Sequence, residues 1–479
     1  MTIHELRRSA ASAVPELGAS VTGPAPRRER LAIVSTRNKL CGIAAYTKAL
    51  ERQLADVFDI TVFDLDQYLL RGTHPRVRAL GNRHIEDICR EIADFDAVNL
   101  QLEFGTLGRS AKDIYRRFRR IILAAPRLSI TFHTLKRPPS FSWADFCKGV
   151  VSLNWRQAWQ QRADFAREKI LSEGIAGCLR RIQRRKPVNI IVHNRRDLSD
   201  ARHLHRFQNV EHHPLAFLTS ADVEAIINKS KRQNFPLLDQ LPSQSKLIGV
   251  FGFLNDYKGF GTSIRALYHL PANYHLLIFG ATHPNEIQQN QPLHPYIASL
   301  FQDGYVDTTL YEQIAASPNR GISLTLDIER QLTDLIGTHP RDLSDRVHFM
   351  GAVDDDEFLA GMAICDVVVL PYLEVGQSSS GPISQAVELG CRVIASRTHT
   401  FLEFAHYHPH TVEFFDIGNH LELAERIAAR RQHAVQREPL RYTAETNKTV
   451  YLAANSAPPD APHFQRRAQP VSRRVDAAE

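Results

Sequence analysis

The sequence predicts an α/β protein of two units, each with a parallel sheet covered by helices on both faces. Its 479 residues are enough for two domains with separate cores. Hydrophobic residues make up 43% and charged residues 23% of the chain, which is typical of globular proteins. Short apolar runs alternate with longer segments of helical periodicity, and this alternation favours parallel strands.

The first series of elements begins with an apolar strand at Leu31–Ser35, a loop that contains Gly42, and a helix with apolar residues at helical spacing. Further strand-like runs read DITVFDL, FDAVNLQL, RLSITFH and VNIIVHN. The segment Lys136–Lys186 is a longer excursion that is basic and aromatic. We interpret it as helical.

A second series begins at SKLIGVFGFLNDYKG and continues through NYHLLIFGATHP, RVHFMGAV, ICDVVVLPYL, CRVIAS and TVEFFDI. The pattern lapses around Gln302–Arg330, which indicates an insertion. The two series predict two Rossmann-like domains. The expected divisions are a flexible leader at 1–29, a first domain at 30–215, a linker at 216–244, a second domain at 245–418, helices crossing back over the first domain at 419–455, and a flexible tail at 456–479.

Several classes of protein are disfavoured by composition. The 6 cysteines are scattered without a CxxC pair, which argues for a reducing compartment and against a disulfide framework or a structural zinc site. There is no uncharged apolar run of about 18 residues that would predict a membrane-spanning helix. The N-terminal segment lacks the apolar region of a secretory signal. We therefore expect a cytoplasmic protein.

The net charge of +7 conceals an uneven distribution. Residues 109–186 contain 19 Lys and Arg but only 5 Asp and Glu. Such a stretch suits an anionic partner, namely a membrane leaflet, a lipid diphosphate or nucleic acid. The alternative is a helix face that is merely solvated. Nucleic acid is the least favoured partner, because no recognisable nucleic-acid-binding module accompanies the basic residues.

Five motifs together resemble the retaining glycosyltransferases of family 4, whose GT-B fold has two facing Rossmann-like domains. The motifs are CGIAAYT after the first strand, LQLEFG, TFHT, GFLNDYKG at the start of the second domain, and PYLEVGQSSSGPISQAVELG. The resemblance covers roughly Arg30 to Asn455, and the motifs occur in the family's order. It implies that a sugar is transferred from a nucleotide-sugar donor to an acceptor, with the anomeric configuration retained.

The same resemblance implies where the donor binds and what it is. The donor would lie in the cleft between the domains, mostly on the second domain, which agrees with the position of ligands at the carboxyl ends of parallel strands. A GDP- or UDP-sugar is expected, with no further cofactor. A hexose, with mannose suggested by the branch resemblance described below, would pass to a glycan or lipid-linked acceptor in cell-surface polysaccharide synthesis, at the inner face of the membrane.

The leaving diphosphate needs positive charge and backbone donors. Lys258 in DYKG matches the family's cation, whereas Phe253 stands where the family usually has an arginine. The helix that follows SSSG can direct the backbone N–H groups of Ser379, Ser380 and Gly381 toward a phosphate. In the first-domain loop, Gly42 would allow close approach to the same group.

Two glutamines occupy the positions at which the family usually has carboxylates. Gln377 would contact hydroxyl groups of the sugar and Gln385 those of the ribose. An amide can donate and accept hydrogen bonds to hydroxyls without a charge, but it loses charge-assisted strength. A branch of the family with the motif Q-x-x-SG resembles this stretch. Glu374 is a candidate substitute near the sugar, and we expect Glu388 to lie one helical turn from the ribose.

Other candidate residues follow strands. His133, after RLSITFH, matches the family's histidine near the reacting sugar, although a structural strand-end histidine is the alternative. The same alternative weighs more heavily for His193. Glu103 in LQLEFG either orders the cleft loop or is a structural carboxylate.

We predict no catalytic metal. Asp64 and Asp66 form a DxD pattern, but their position at the end of the second strand favours a turn or a ribose-type contact. Asp354–Asp356 precede an apolar periodic run and are predicted to begin a helix. For the whole protein, two alternatives remain open: a catalytically degenerate GT-B protein that acts as a binding or scaffold partner, and a nucleotide-sugar epimerase.

Overall fold

A computed structural model describes residues 27–37, 41–152, 154–281, 296, 299–300, 343–429 and 439–456. The predicted leader up to residue 26, the tail beyond Ser456 and the expected insertion at Gln302–Arg330 lie outside the described residues.

The first sheet contains six strands, β1 (Arg30–Ser35), β2 (Asp59–Asp64), β3 (Ala97–Leu102), β4 (Leu128–Phe132), β5 (Val188–Val192) and β6 (Val210–His212). Every neighbouring pair is parallel, and the order is β2–β1–β3–β4–β5–β6. The central strands are buried along their whole length, as expected for a sheet covered on both faces.

The second sheet has the same design. Its strands are β7 (Lys246–Phe251), β8 (Tyr274–Phe279), β9 (Val347–Gly351), β10 (Val367–Leu370), β11 (Val393–Ser396) and β12 (Val412–Phe415). They are parallel in the order β12–β11–β10–β7–β8–β9. The predicted α/β class with two parallel sheets is confirmed.

Fifteen α-helices occur within the described residues. Nine precede the second sheet: α1 (Gly42–Leu54), α2 (Gln67–Leu70), α3 (Pro75–Ile92), α4 (Ala111–Ala124), α5 (Trp143–Val151), α6 (Trp155–Lys169), α7 (Ile175–Gln183), α8 (Arg195–Ser199) and α9 (Ser220–Lys229). Six follow: α10 (Phe260–Leu267), α11 (Asp355–Ile364), α12 (Gly381–Glu388), α13 (His399–Tyr407), α14 (His420–Ala428) and α15 (Ala444–Asn455). No helix among these is long and apolar enough to cross a bilayer.

One apolar core joins the two sheets. It includes Leu31 of β1, Tyr46 of α1, Phe217 of the connecting segment, Phe251 of β7 and Tyr451 of α15. Burial of such large side chains stabilises the contact between the halves by roughly 1.5–3 kcal/mol each. The carboxyl ends of both sets of strands thereby meet across a common cleft.

The two C-terminal helices pack in different places. Helix α14 lies against α10 and β12 of the second sheet, whereas α15 lies on β3, β4 and β5 of the first. The contacts of α15 are polar as well as apolar: the Ser129 hydroxyl donates to Asn455 Oδ1 at 2.7 Å, and the Thr131 and Tyr451 hydroxyls are 2.8 Å apart. Helix α15 is therefore fixed to the first sheet.

Candidate functional site

A cavity of about 250 Å³ lies in the cleft between the two halves. The first half contributes the start of α1, and the connecting segment contributes Phe217. The second half contributes the loops that follow β7, β8, β9 and β10, and the start of α12. The lining residues on which the site depends are Cys41, Gly42, Phe253, Lys258, Asp354, Gln377, Ser380, Gly381 and Gln385. From the sequence, six of them were predicted to hold the donor or act on it: Gly42, Lys258, Gln377, Ser380, Gly381 and Gln385.

Lys258 is placed by a tight turn. The single 3₁₀ turn Asp256–Lys258 ends at Gly259, whose φ of 64° is left-handed. A Cβ at Gly259 would lie 2.0 Å from the carbonyl oxygen of Pro371, so a larger residue would push this turn away from the loop after β10. The turn directs the Lys258 side chain inward, under Gly252 and between two tyrosine rings.

The Lys258 amine is buried among aromatic groups. Only 6% of the residue is exposed, and Nζ lies 3.8 Å from the Tyr372 ring centre and 5.0 Å from that of Tyr257. It donates a hydrogen bond to the Tyr372 hydroxyl. Burial lowers the pKa of Lys258 to about 7. Within the described part of the chain, no carboxylate forms an ion pair with this amine, so an anionic ligand would supply the missing charge.

Two helix N-termini open onto the same cavity. Helix α12 begins at Gly381, and its N-cap residue Ser380 makes no side-chain capping bond. Helix α1 begins at Gly42, where Cys41 Sγ accepts from the Ala44 N–H at 3.4 Å. Each N-terminus carries a partial positive charge and free N–H groups. Together with Lys258, they make the cavity suited to phosphate groups.

Gln377 and Gln385 both line the cavity. Gln385 is on α12, 8% exposed, and also faces a second cavity of about 470 Å³. The backbone carbonyl of Gln377 accepts a hydrogen bond from the Thr400 hydroxyl, which fixes this loop against α13. The two amides therefore flank the start of α12 on a supported backbone.

Neither candidate substitute carboxylate lines this cavity. Glu374 accepts hydrogen bonds from the backbone N–H groups of Gly376, at 3.0 Å, and His399, at 2.7 Å, and so fixes its own loop. Glu388 accepts from the backbone N–H groups of Phe217, at 2.9 Å, and Leu218, at 3.2 Å. Burial raises the pKa of Glu388 to about 8. Its role is to hold the connecting segment, one residue of which forms the cavity wall.

His133 does not line the cavity. Its ring lies edge-on to Tyr46, with centres 5.7 Å apart, and Tyr46 in turn packs on Phe217. The Tyr46 ring therefore separates His133 from Phe217, which forms part of the cavity wall. Ser379 is also absent from the lining, although its neighbours Ser380 and Gly381 belong to it. His193 lies beside His133, with ring centres 5.1 Å apart.

Burial dominates the electrostatics of these first-domain residues. It lowers the pKa of His133 well below its usual value, with His193 adding to the effect, and lowers that of His193 to about 4. Burial also raises the pKa of Glu103. Glu103 accepts from the Phe104 N–H at 3.1 Å and the Thr134 hydroxyl at 2.8 Å, so it orders the loop after β3.

The acidic pairs that resemble metal motifs have structural partners. Asp66 caps α2 by accepting from the Tyr68 and Leu69 N–H groups, and Asp64 accepts from the Arg37 N–H at 2.8 Å. Asp354 caps α11 with a capping box, as predicted. The described residues contain no group of three or more His, Cys, Asp or Glu arranged to hold a metal ion.

Sequence reasoning missed much of the apolar lining, including Tyr257, Phe279 and Phe358. A signal was present, because β7 and β8 both end at a phenylalanine that is followed by a glycine. A Cβ on Gly280 would lie 1.8 Å from the carbonyl oxygen of Gly252, so these two glycines let adjacent strand ends approach and open the cavity floor.

No family model matches the sequence, and no curated protein matches it. Solved structures do match in fold. Trehalose-6-phosphate synthase OtsA has a TM-score of 0.51 at 11% identity, over 89% of this chain and 95% of that chain. Sucrose-phosphate synthase from Thermosynechococcus elongatus has a TM-score of 0.48 at 15% identity, over 89% and 95%. Anabaena Alr3699/HepE, in complex with UDP and glucose, has a TM-score of 0.47 at 14% identity, over 88% and 95%. The two-sheet architecture with its cleft is the GT-B fold.

Proposed function

We propose that this protein is a retaining glycosyltransferase that moves a hexose from a nucleotide-sugar donor to a glycan or lipid-linked acceptor. One observation carries the proposal: a buried lysine, Lys258, without a carboxylate partner in the described residues, at a cavity onto which two helix N-termini open. A buried cation is costly unless an anion compensates it. The diphosphate of a nucleotide sugar supplies that anion.

The proposed reaction breaks the bond between the sugar's anomeric carbon and the diphosphate oxygen. Lys258 and the N–H groups at the start of α12 stabilise the charge that develops on the leaving diphosphate. The acceptor hydroxyl attacks from the same face, and its proton passes to the leaving phosphate oxygen. Gln377 and Gln385 hydrogen-bond to hydroxyls of the sugar and the ribose. No protein nucleophile and no metal take part.

The proposal assigns the donor to the second domain, residues 245–418, and the acceptor to the first, residues 30–215. The donor base is guanine or uracil, and mannose is the proposed sugar. The 216–244 segment connects the domains, and Phe217 within it forms part of the wall. Ser379 and Gly42 contribute through backbone donors and close approach, and His133 acts from behind the wall.

The first experiment is a thermal shift with GDP, UDP and ADP at millimolar concentration, with and without EDTA. A ligand that binds only the folded state raises the melting temperature by mass action. Stabilisation by GDP or UDP in EDTA supports the donor site, and the Lys258→Met variant should then lose it. Turnover with the corresponding sugars follows. If no nucleotide stabilises the protein, the donor site has been lost, and a degenerate binding protein, with Phe253 in place of a cation, becomes the better account.

The lipid side of the proposal depends on the basic segment of the first domain. Helices α5 and α6 pack on each other and expose three tryptophans, Trp143, Trp155 and Trp159, at 69%, 55% and 69%. Exposed basic residues lie on the same pair of helices: Lys148, Arg156, Arg162, Arg167 and Lys169. Exposed indoles beside cations suit the interface of an anionic membrane. We propose that this pair of helices holds the enzyme at the cytoplasmic leaflet.

Sedimentation with vesicles tests the membrane proposal. The double variant Trp155→Ser/Trp159→Ser should lose binding to vesicles that contain anionic lipid, whereas Tyr68→Ser should keep it. Tyr68 is a matched control, because it is an 84% exposed aromatic residue of the same half but outside these helices. Equal binding to vesicles of neutral lipid, or loss with the Tyr68 variant alone, would contradict the proposal.

A further inference from the structure

A line of buried polar side chains runs through the first sheet to His133. β3 and β4 are buried along their whole length, yet they include Asn99, Gln101 and Ser129, each 1% exposed or less. Helix α15 adds Asn455, which is fully buried. Polar groups at such positions are costly unless they are hydrogen-bonded, so their arrangement is informative.

These side chains form one continuous hydrogen-bonded chain. The Asn455 amide nitrogen donates to the Tyr451 carbonyl oxygen at 2.8 Å, and Asn455 Oδ1 accepts from the Ser129 hydroxyl at 2.7 Å. Ser129 Oγ accepts from the Asn99 amide nitrogen at 2.7 Å.

The chain then continues along β3. Asn99 Oδ1 accepts from the Gln101 amide nitrogen at 2.5 Å, and Gln101 Oε1 lies 2.9 Å from His133 Nε2. Six groups are thus linked from a helix backbone to an imidazole.

The direction of this chain is fixed at its far end. A backbone carbonyl oxygen can only accept, so the group of Asn455 that faces Tyr451 must be the amide nitrogen. Its other side is then an acceptor, which requires the Ser129 hydroxyl to donate. The same reasoning orients Asn99 and Gln101 in turn. Gln101 therefore presents its carbonyl oxygen to His133.

We infer that this chain holds His133 as the neutral tautomer with its proton on Nε2, so that Nδ1 is a hydrogen-bond acceptor. Asn455, Asn99 and Gln101 are positioning residues, since they act only through His133. The inference concerns the ring itself and goes beyond the proposed function. Because Tyr46 and Phe217 separate His133 from the cavity, the fixed ring acts on the site by supporting the Tyr46 ring behind its wall.

Two further observations agree with this assignment. His193 beside it donates from Nδ1 to the His213 carbonyl oxygen at 3.1 Å, and its Nε2 is buried without a partner in the described residues. His193 Nε2 is thus an acceptor nitrogen beside the one inferred for His133. Burial also lowers the pKa of both rings, which keeps them neutral.

The test is nitrogen NMR of the protein labelled with ring-¹⁵N histidine, in which the His133 signals are assigned by their loss in His133→Gln. The expected pattern is a protonated Nε2 and an unprotonated Nδ1. A protonated Nδ1, an imidazolium or an even mixture of tautomers in the wild-type protein would overturn the inference.

Variants of α15 test the distant end of the chain. Asn455→Leu should release the tautomer and give a mixture, although residue 455 is four links from His133. Asn189→Leu is the control, because Asn189 is an asparagine of β5 that donates to the Ala454 carbonyl oxygen of the same helix at 2.7 Å and not to this chain. Equal effects of the two variants, or no effect of either, would contradict the inference that this hydrogen-bonded chain fixes the tautomer of His133.

A second variant covers the case in which Asn455→Leu fails to fold. Asn455→Asp, protonated at this buried position, can donate to Tyr451 and accept from Ser129, so the single tautomer should persist. Mixing of tautomers in this variant would count against the inference. Because the NMR pattern needs no substrate, the expected tautomer in a protein that binds no nucleotide would reject the proposed function alone.

Discussion

The Lys258 amine and the Tyr372 ring are in direct contact, with Nζ 3.8 Å from the ring centre and bonded to the hydroxyl of the same tyrosine. This contact keeps the cation at the cavity without neutralising it. A cation over an aromatic face gains roughly 0.5–2 kcal/mol, which is less than the cost of removing an ammonium group from water.

Lys258→Met should alter the pH dependence of stability in the ligand-free protein. The pKa of Lys258 is lowered to about 7 in the folded state, so the unfolded chain binds more protons between about pH 7 and pH 10. The free energy of unfolding should therefore rise across that window, and fall again as the pH returns to 7. Urea titrations should show this rise, on the order of 5 kcal/mol over the whole window, in the wild-type protein and its loss in Lys258→Met. An unchanged slope would contradict the burial of a free amine.

Glu388→Gln should change how the free energy of unfolding depends on pH, at lower pH and in the opposite sense to Lys258→Met. The pKa of Glu388 is raised to about 8, so the folded state holds a proton that the unfolded chain loses above about pH 4.3. This contribution to stability is complete below that value and is lost as the pH rises through 8. The variant should flatten the decline between about pH 4.3 and pH 8. Denaturant titrations across this range measure it, with Glu374→Gln, an exposed glutamate that also accepts two backbone bonds, as the control.

Phe253→Arg should strengthen nucleotide binding. Phe253 lines the cavity at the position where the resembled family usually has an arginine, so the variant places a second cation beside Lys258. A charge-assisted hydrogen bond to phosphate contributes about 1.5–3 kcal/mol, and the dissociation constant should fall by about tenfold or more. Calorimetry with GDP and UDP measures it. Phe253→Leu should leave the affinity nearly unchanged, and a similar gain in both variants would show that charge is not the cause.

Substitutions of His133 should differ according to which ring nitrogen they imitate. Asparagine places an amide near Nδ1, whereas glutamine places one near Nε2. Tyr46 and Phe217 separate the ring from the cavity, and Nε2 is the nitrogen that bonds Gln101. His133→Gln should therefore keep the ring's neighbours in place and retain more turnover than His133→Asn, by about tenfold. The comparison is made on kcat at saturating donor, and greater activity of the asparagine variant would show that Nδ1 is the nitrogen that matters.

The fold could be predicted from the sequence because the patterns that indicate strands and helix starts are local. Apolar runs such as Leu31–Ser35 and the helix after Gly42 are legible in a short window, and so is the Asp354 cap. Gln377 and Gln385 could be placed together because one loop-to-helix segment contains both.

The supports of the site could not be predicted in the same way. Glu388 holds the backbone at Phe217, which is 171 positions away, whereas the sequence indicated only that it lies one helical turn from the ribose. His133 was expected at the reacting sugar, but Tyr46 and Phe217 pack between it and the cavity. Such contacts depend on how the two halves meet, and no local pattern encodes that geometry.

The position of α15 has a consequence for how the protein is made. Ser129 of the first sheet, to which Asn99 donates, finds its own partner in Asn455, 326 positions later. During synthesis, which adds about 5–20 residues per second from the N-terminus, this face of the sheet stays without its cover until α15 has left the ribosome. The first half is thus completed last, and a ribosome that stalls shortly before α15 would release a chain with its earliest sheet still open.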